Sequence, residues 1–270
     1  MRTPLLGVAL SVLSTTSGFC QAPQQKIEAF NLKNVQDPDD LRAIAQHDIG
    51  DRGIRLMLTG YSPAPNGYEE KTTAFMSSLV RQLGGANIAI ITSPTADKGS
   101  IDAIGTLVAQ SFSAKIMYIT SQDYIKYIDP AKFPKQLDKA GYIKHIKYVF
   151  PDNTKYSVAS TVASNAILVT GGRDTAVEDT VNSILRDNQV IIAENLTDVP
   201  AWDFTKNRVS NAAAYMHEQL ASLQQTGQLK YEVSGRLTKE FLTTHKDKFL
   251  FVSKPEQAAR ALKQVLTPRP

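Results

Sequence analysis

Apolar residues fall along the chain in two alternating patterns. Six short, mostly unbroken runs are IRLMLTG (54–60), NIAIIT (87–92), AKIMYIT (114–120), AILVTGG (166–172), QVIIAEN (189–195) and KFLFVS (248–253). They are bounded by turn residues and are too short for helices, so they predict buried strands. Longer stretches with apolar positions three and four apart lie between and after them. In YEEKTTAFMSSLVRQL (68–83), Phe75, Met76, Leu79, Val80 and Leu83 share one helical face, and Gly84-Gly85 close it. Helices are also predicted in IDAIGTLVAQSF (101–112), YSVASTVAS (156–164), TAVEDTVNSILRD (175–187), NAAAYMHEQLASLQQTG (211–227), SGRLTKEFLTTHKD (234–247) and KPEQAARALKQVL (254–266). Pro255 stands in the first turn of the last of these. Residues 121–147 are mixed and basic, with a short helix or two expected around KQLDKAG.

Strands alternating with helices predict an α/β fold: a doubly wound, mostly parallel, Rossmann-like sheet flanked by helices. In such sheets ligands bind outside the carboxyl ends of the strands. Three loops leave strand ends with small or turn residues, at 60–68, 92–100 and 171–175. They form the expected ligand face.

Composition narrows the picture. The chain has 270 residues, 42% hydrophobic and 21% charged, which is ordinary for a globular protein. Thirty Lys and Arg against 26 Asp and Glu give a net charge of +4. No basic block accompanies that excess, so a solvated surface is expected and no nucleic-acid partner. No stretch approaches the ~20 apolar residues of a membrane span. Cys20 is the single cysteine, which excludes an intrachain disulfide and a cysteine-based metal site. The amino terminus carries one basic residue, the apolar stretch Leu5–Leu13, then small and polar residues. That is the pattern of a signal peptide over residues 1–22, followed by a polar extension over 23–52 and the main domain over 53–270. A periplasmic or secreted location follows from the leader if it is cleaved, and a cytoplasmic one otherwise.

The chemistry centres on VTGGRDTAVEDT (169–180). Gly171 and Gly172 between a strand and a helix let backbone approach a ligand, and the helix amino terminus suits an anion. Arg173 can pair with that anion and Thr175 can donate a hydroxyl. The plain alternative is a tight turn capped by Asp174. Glu178 and Asp179 are placed to act as a base or to hold a ribose hydroxyl, or simply to complement the helix dipole. A serine hydrolase of this class needs a Gly-x-Ser-x-Gly elbow, and the chain has none. The segment after QVIIAEN, where such an elbow would fall, offers no serine. His47, His145, His217 and His245 show no metal-ligand spacing, and no metal or cofactor is expected.

Several of these segments together resemble the lonely-guy family of Rossmann-like proteins, once called lysine decarboxylase-like, within the SLOG nucleotide-binding superfamily. The resemblance covers about residues 53–266 and rests on TGYSPAPNGY (Gly60, Ser62, Tyr68), ITSPTADKGSIDAIG (Ser93, Gly99), TGGRDTAVE (Gly171, Gly172, Thr175, Glu178) and DKFLFVSKPEQAARAL. It implies binding of a nucleotide or nucleotide-derived molecule and assembly as a homo-oligomer. It further implies an N-glycosidase that cleaves nucleoside 5′-monophosphates into base and ribose 5-phosphate. Gly60, Ser62, Ser93, Gly99, Gly171, Gly172, Arg173, Asp174 and Thr175 would hold the ligand and its phosphate. Glu178 would support the sugar. The family's catalytic arginine is matched most nearly by Lys155. Two departures stand out: Asp174 replaces a signature glycine, and Lys155 lacks the planar fork of arginine. They favour as alternative a nucleotide sensor without catalysis. GGANIAIITSPTA and ASNAILVTGG also resemble cyanophycinase and dipeptidase E, which would imply a serine-hydrolase relative without its elbow.

Overall fold

The computed structural model describes residues 33–34, 38, 40–49, 53–94, 97–121, 123, 145–150 and 153–265. The predicted leader, and the basic stretch around KQLDKAG, lie outside them. Eight strands pair in parallel: β1 (Lys33–Asn34), β2 (Ile54–Thr59), β3 (Ile88–Thr92), β4 (Lys115–Ser121), β5 (His145–Phe150), β6 (Ala166–Val169), β7 (Gln189–Ala193) and β10 (Phe249–Val252). Their order across the sheet is β1-β5-β4-β3-β2-β6-β7-β10. A short antiparallel pair, β8 (Trp202–Asp203) with β9 (Arg208–Val209), stands apart. The helices are α1 (Asp40–Ile49), α2 (Tyr68–Leu83), α3 (Ile101–Ser111), α4 (Asn153–Ala163), α5 (Asp174–Ile184), α6 (Ala212–Thr226), α7 (Lys239–His245) and α8 (Pro255–Val265).

All six predicted strands are present, and their unbroken apolar character has a direct cause. Both faces of a parallel sheet are covered by helices, so β2, β3 and β6 are buried throughout, while the edge strand β10 leaves Leu250 exposed. Along β2, Leu56 and Leu58 face one layer and Met57 the other. The first layer holds Leu79 of α2, Val108 of α3 and Leu262 of α8. The second holds Leu41 and Ala45 of α1, Ala159 of α4, Val181 of α5, Met216 of α6 and Leu242 of α7. Within the polar stretch 23–52, therefore, β1 extends the sheet edge and α1 joins the core.

From β2 the chain winds outward through β3 and β4 to β5, then returns to place β6 on the other side of β2. That reversal is the topological switch point. The helical stretch at 234–247 is shorter than its pattern predicts: α7 starts at Lys239, because Thr238 caps it by accepting the Phe241 N–H. The residues before it dock elsewhere, as described below.

Candidate functional site

The site is built where β2 and β6 end side by side. Their register pairs Thr59 with Val169, and the next amide, Thr170 N–H, donates to the Thr59 carbonyl at 3.0 Å. Gly60 follows one strand; Gly171 and Gly172 follow the other, at φ +132° and +89°. The three glycines interlock with their neighbours. A Cβ on Gly60 would lie 2.3 Å from the Tyr68 hydroxyl and 2.4 Å from Thr170 Oγ1. One on Gly171 would lie 2.4 Å from the Tyr61 ring, and one on Gly172 2.7 Å from the Gly60 carbonyl oxygen. Tyr68 and Thr170 share a 2.6 Å hydrogen bond, and Tyr61 packs edge-on to Tyr68 at 5.1 Å. The Tyr61 hydroxyl donates to the Ser210 carbonyl at 2.7 Å. Burial raises both phenols, Tyr68 to about 12. Both therefore stay protonated and act as hydrogen-bonding groups.

One carboxylate faces this junction from α5, and it is Asp179. Thr59 Oγ1 donates to its Oδ2 at 2.8 Å and Ser157 Oγ to its Oδ1 at 2.6 Å. Burial pushes the carboxyl up to about 6, against the opposing pull of those two hydroxyls. A group with that value and location can exchange a proton near neutrality.

Glu178, one residue earlier and so turned about 100° around the helix, faces another way. The Arg236 guanidinium donates to Glu178 Oε2 through Nε at 3.0 Å and Nη2 at 2.9 Å. The Arg236 backbone N–H donates to Oε1 at 2.8 Å. Asp174 accepts the Ser234 hydroxyl at 2.7 Å, and Asn182 accepts from Arg236 at 2.6 Å. Asp174, Glu178 and Asn182 are spaced four residues apart, so they form one stripe along α5. That stripe holds segment 234–236 onto the helix. Asp174 thus neither points into the junction nor caps the helix: it is the first residue of α5, behind the extended residue Arg173. No side chain caps α5. Arg173 and Thr175 are exposed beside its start.

The other predicted ligand residues are distributed around the rim. Ser62 Oγ donates to Asp97 at 2.9 Å. Ser93 is buried, and its backbone N–H donates to Asp102 at 2.7 Å, alongside Thr92 Oγ1 at 2.6 Å. Burial raises the Asp102 carboxyl. Gly99 adopts φ +73° against Glu69. Lys155 falls in the first turns of α4, with its side chain outside the described part.

A second feature adjoins the junction and escaped sequence reasoning. A cleft of about 260 Å³ opens at the carboxyl ends of β6 and β7, with Thr170, Glu194, Asn195, Asn211 and His217 in its wall. His217 Nδ1 lies 2.7 Å from Glu194 Oε1. The Phe251 ring packs beside the imidazole at 4.9 Å. Asn195 turns the chain sharply at φ +64°. A loop follows it, and the next helix starts only at Ala212, so the strand-to-helix turn of a nucleophile elbow is absent from the end of β7. The histidine is 23 residues from its glutamate in sequence, so no spacing rule pairs them. His245 instead packs on Phe241, and among the described residues no group of side chains forms a metal site. No described helix is long and apolar enough to cross a membrane.

No protein-family model matches the chain, and no curated protein matches it. Solved structures with a similar trace include the molybdenum cofactor carrier protein of Chlamydomonas reinhardtii, at 10% identity and TM-score 0.47, covering 79% of this chain and 98% of that one. The molybdenum cofactor binding protein of the phototrophic bacterium Rippkaea orientalis is similar at 11% identity and TM-score 0.45, covering 79% and 96%. DNA processing protein A of Streptococcus pneumoniae is similar at 9% identity and TM-score 0.44, covering 77% and 62%. At such distances the likeness carries no ligand over to this chain, and the chemistry is argued from its own residues.

Proposed function

We propose that the protein binds a nucleotide or nucleotide-derived small molecule at the switch point, with the ligand's anionic group at the amino end of α5. The observation that carries this reading is the missing cap. Ser100, Asn211 and Thr238 each accept a backbone N–H at the start of α3, α6 and α7, whereas α2 and α5 lack such a bond, and of those two only α5 directly follows the paired ends of β2 and β6. Helix α5 starts at the switch point with no such bond, behind two glycines at positive φ and beside the exposed Arg173. Unsatisfied N–H groups, the helix dipole and a guanidinium together suit a phosphate. Gly171, Gly172 and Thr175 belong to the same turn.

Binding without turnover is favoured by the state of Glu178. Its carboxylate is committed to Arg236 and segment 234–236, so it is not free to support a developing charge on a sugar. One observation favours the N-glycosidase reading instead: Asp179, next in sequence, faces the junction with its carboxyl raised to about 6. The two readings separate in one experiment. Titration with a panel of nucleoside monophosphates should raise the melting temperature saturably, with no free base by chromatography, and Arg173→Ala should weaken the effect about tenfold. No shift across the panel sinks the binding reading. Base release that disappears in Asp179→Asn would establish the glycosidase.

A further inference from the structure

The cleft beyond Thr170 has a chemistry of its own. Glu194 is fixed where β7 ends, its N–H donating to the Val252 carbonyl at 2.9 Å. Its carboxylate accepts a hydrogen bond from His217 Nδ1, which sets the imidazole's orientation and leaves Nε2 to hydrogen-bond within the cleft. The loop between is clamped at its far end, where Asn211 Nδ2 donates to the Val199 carbonyl at 3.0 Å. Asn195 and His217 offer hydrogen-bonding groups in the lining, with the Thr197 hydroxyl, which accepts the Val199 N–H, beside them. Other carboxylates at the rim are already matched: Asp198 pairs with Lys71, and Glu218 with Lys230 and the Tyr231 hydroxyl. An imidazole, an amide and one shared carboxylate, with Phe251 packed beside the imidazole, suit neutral hydroxyl groups better than a cation or an anion. At about 260 Å³ the cleft lies just below the range of pockets for drug-sized ligands, so it holds a single ring.

The cleft is also continuous with the glycine turn. Thr170 lines it and directly precedes Gly171. Between the lining residues Asn211 and Ala213, Ala212 N–H donates to the Gly172 carbonyl at 2.8 Å. A ring in the cleft therefore lies beside the start of α5. We propose that the cleft is a sugar subsite: it takes a hydroxyl-bearing pentose, with His217 Nε2 and Asn195 binding its hydroxyls and Glu194 positioning His217. The link to a phosphate at α5 rests on the proposed function; the subsite itself rests on the cleft.

Calorimetric titration with ribose 5-phosphate, adenosine and inorganic phosphate tests it. Ribose 5-phosphate should bind at least tenfold more tightly than phosphate. His217→Ala and Glu194→Gln should each remove that advantage and leave phosphate binding unchanged. Adenosine carries the pentose without the phosphate. Adenosine binding that depends on His217, with no phosphate binding, upholds the subsite and retires the anion at α5. Phosphate binding with no gain from the pentose overturns the subsite and leaves the anion reading standing. Equal binding of both ribose-bearing probes by wild type and the two variants, or no binding of either, also overturns it. His217 is half exposed on α6, so its alanine variant should melt with the wild type. Glu194→Gln, nearly isosteric, guards against a folding defect.

Discussion

Single residues at the junction carry most of its measurable consequences. Asp179 is an acid whose folded value, about 6, stands above its ordinary 3.8. Between those values the folded state holds a proton that the unfolded chain has lost. Stability from this group is therefore greatest below about pH 4, falls as pH rises to about 6, and is level above. The shift of roughly two units corresponds to on the order of 3 kcal/mol. Asp102, also raised by burial, acts in the same direction. Urea unfolding of Asp179→Asn against wild type isolates the first group: the variant should gain on wild type from pH 4.5 to 7. A difference that stays constant over that range would mean the carboxyl is not raised. Gly172→Ala forces both φ +89° on a side chain and a 2.7 Å approach to the Gly60 carbonyl. It should cost at least about 1–3 kcal/mol, read as a lower melting temperature.

At the scale of elements, α5 is divided between two duties. Its flank grips segment 234–236 while its amino end stays open. Arg173 has φ −119° and ψ −151°, an extended conformation that a capping residue adopts readily. Arg173→Ser should therefore stabilise the protein by about 1 kcal/mol and at the same time weaken anion binding. A variant that gains stability with undiminished binding would count against an anion at this helix. Arg236→Ala removes the guanidinium bonds to Glu178 and Asn182 and leaves the segment held by its backbone N–H alone at this position. The pair is partly exposed, so global stability should change by about 1 kcal/mol or less. Amide hydrogen exchange across 234–238 should accelerate markedly, whereas a fixed segment would retain its protection.

Over the whole molecule, the strands were legible because burial on both faces leaves an unbroken apolar signature. Strand β5, HIKYVF, was not, because His145 and Lys147 interrupt its apolar run. The glycine turn was legible as a tight strand-to-helix corner. The role of Glu178 was not, because its partner Arg236 lies 58 residues away and only the fold joins them. The Glu194–His217 pair was invisible for the same reason. Trp202, the chain's single tryptophan, packs in a cluster with Tyr215 and Tyr231, all three rings 5.6 to 6.0 Å apart, in the second helical layer. Its fluorescence reports on that layer, and its urea transition should coincide with loss of helical circular dichroism if both layers share one cooperative unit. Separate midpoints would divide the domain in two.

The interlocked glycines bear on descent as well as on binding. Tyr61, Tyr68, Thr170 and the Gly60 carbonyl fill the space that any methyl at these three positions would need. A descendant that had lost its ligand entirely would still lose stability on replacing Gly60, Gly171 or Gly172. Their presence in a sequence therefore records the ancestry of the scaffold, and the history of its chemistry has to be traced through freer positions such as Arg173, Asn195 and His217.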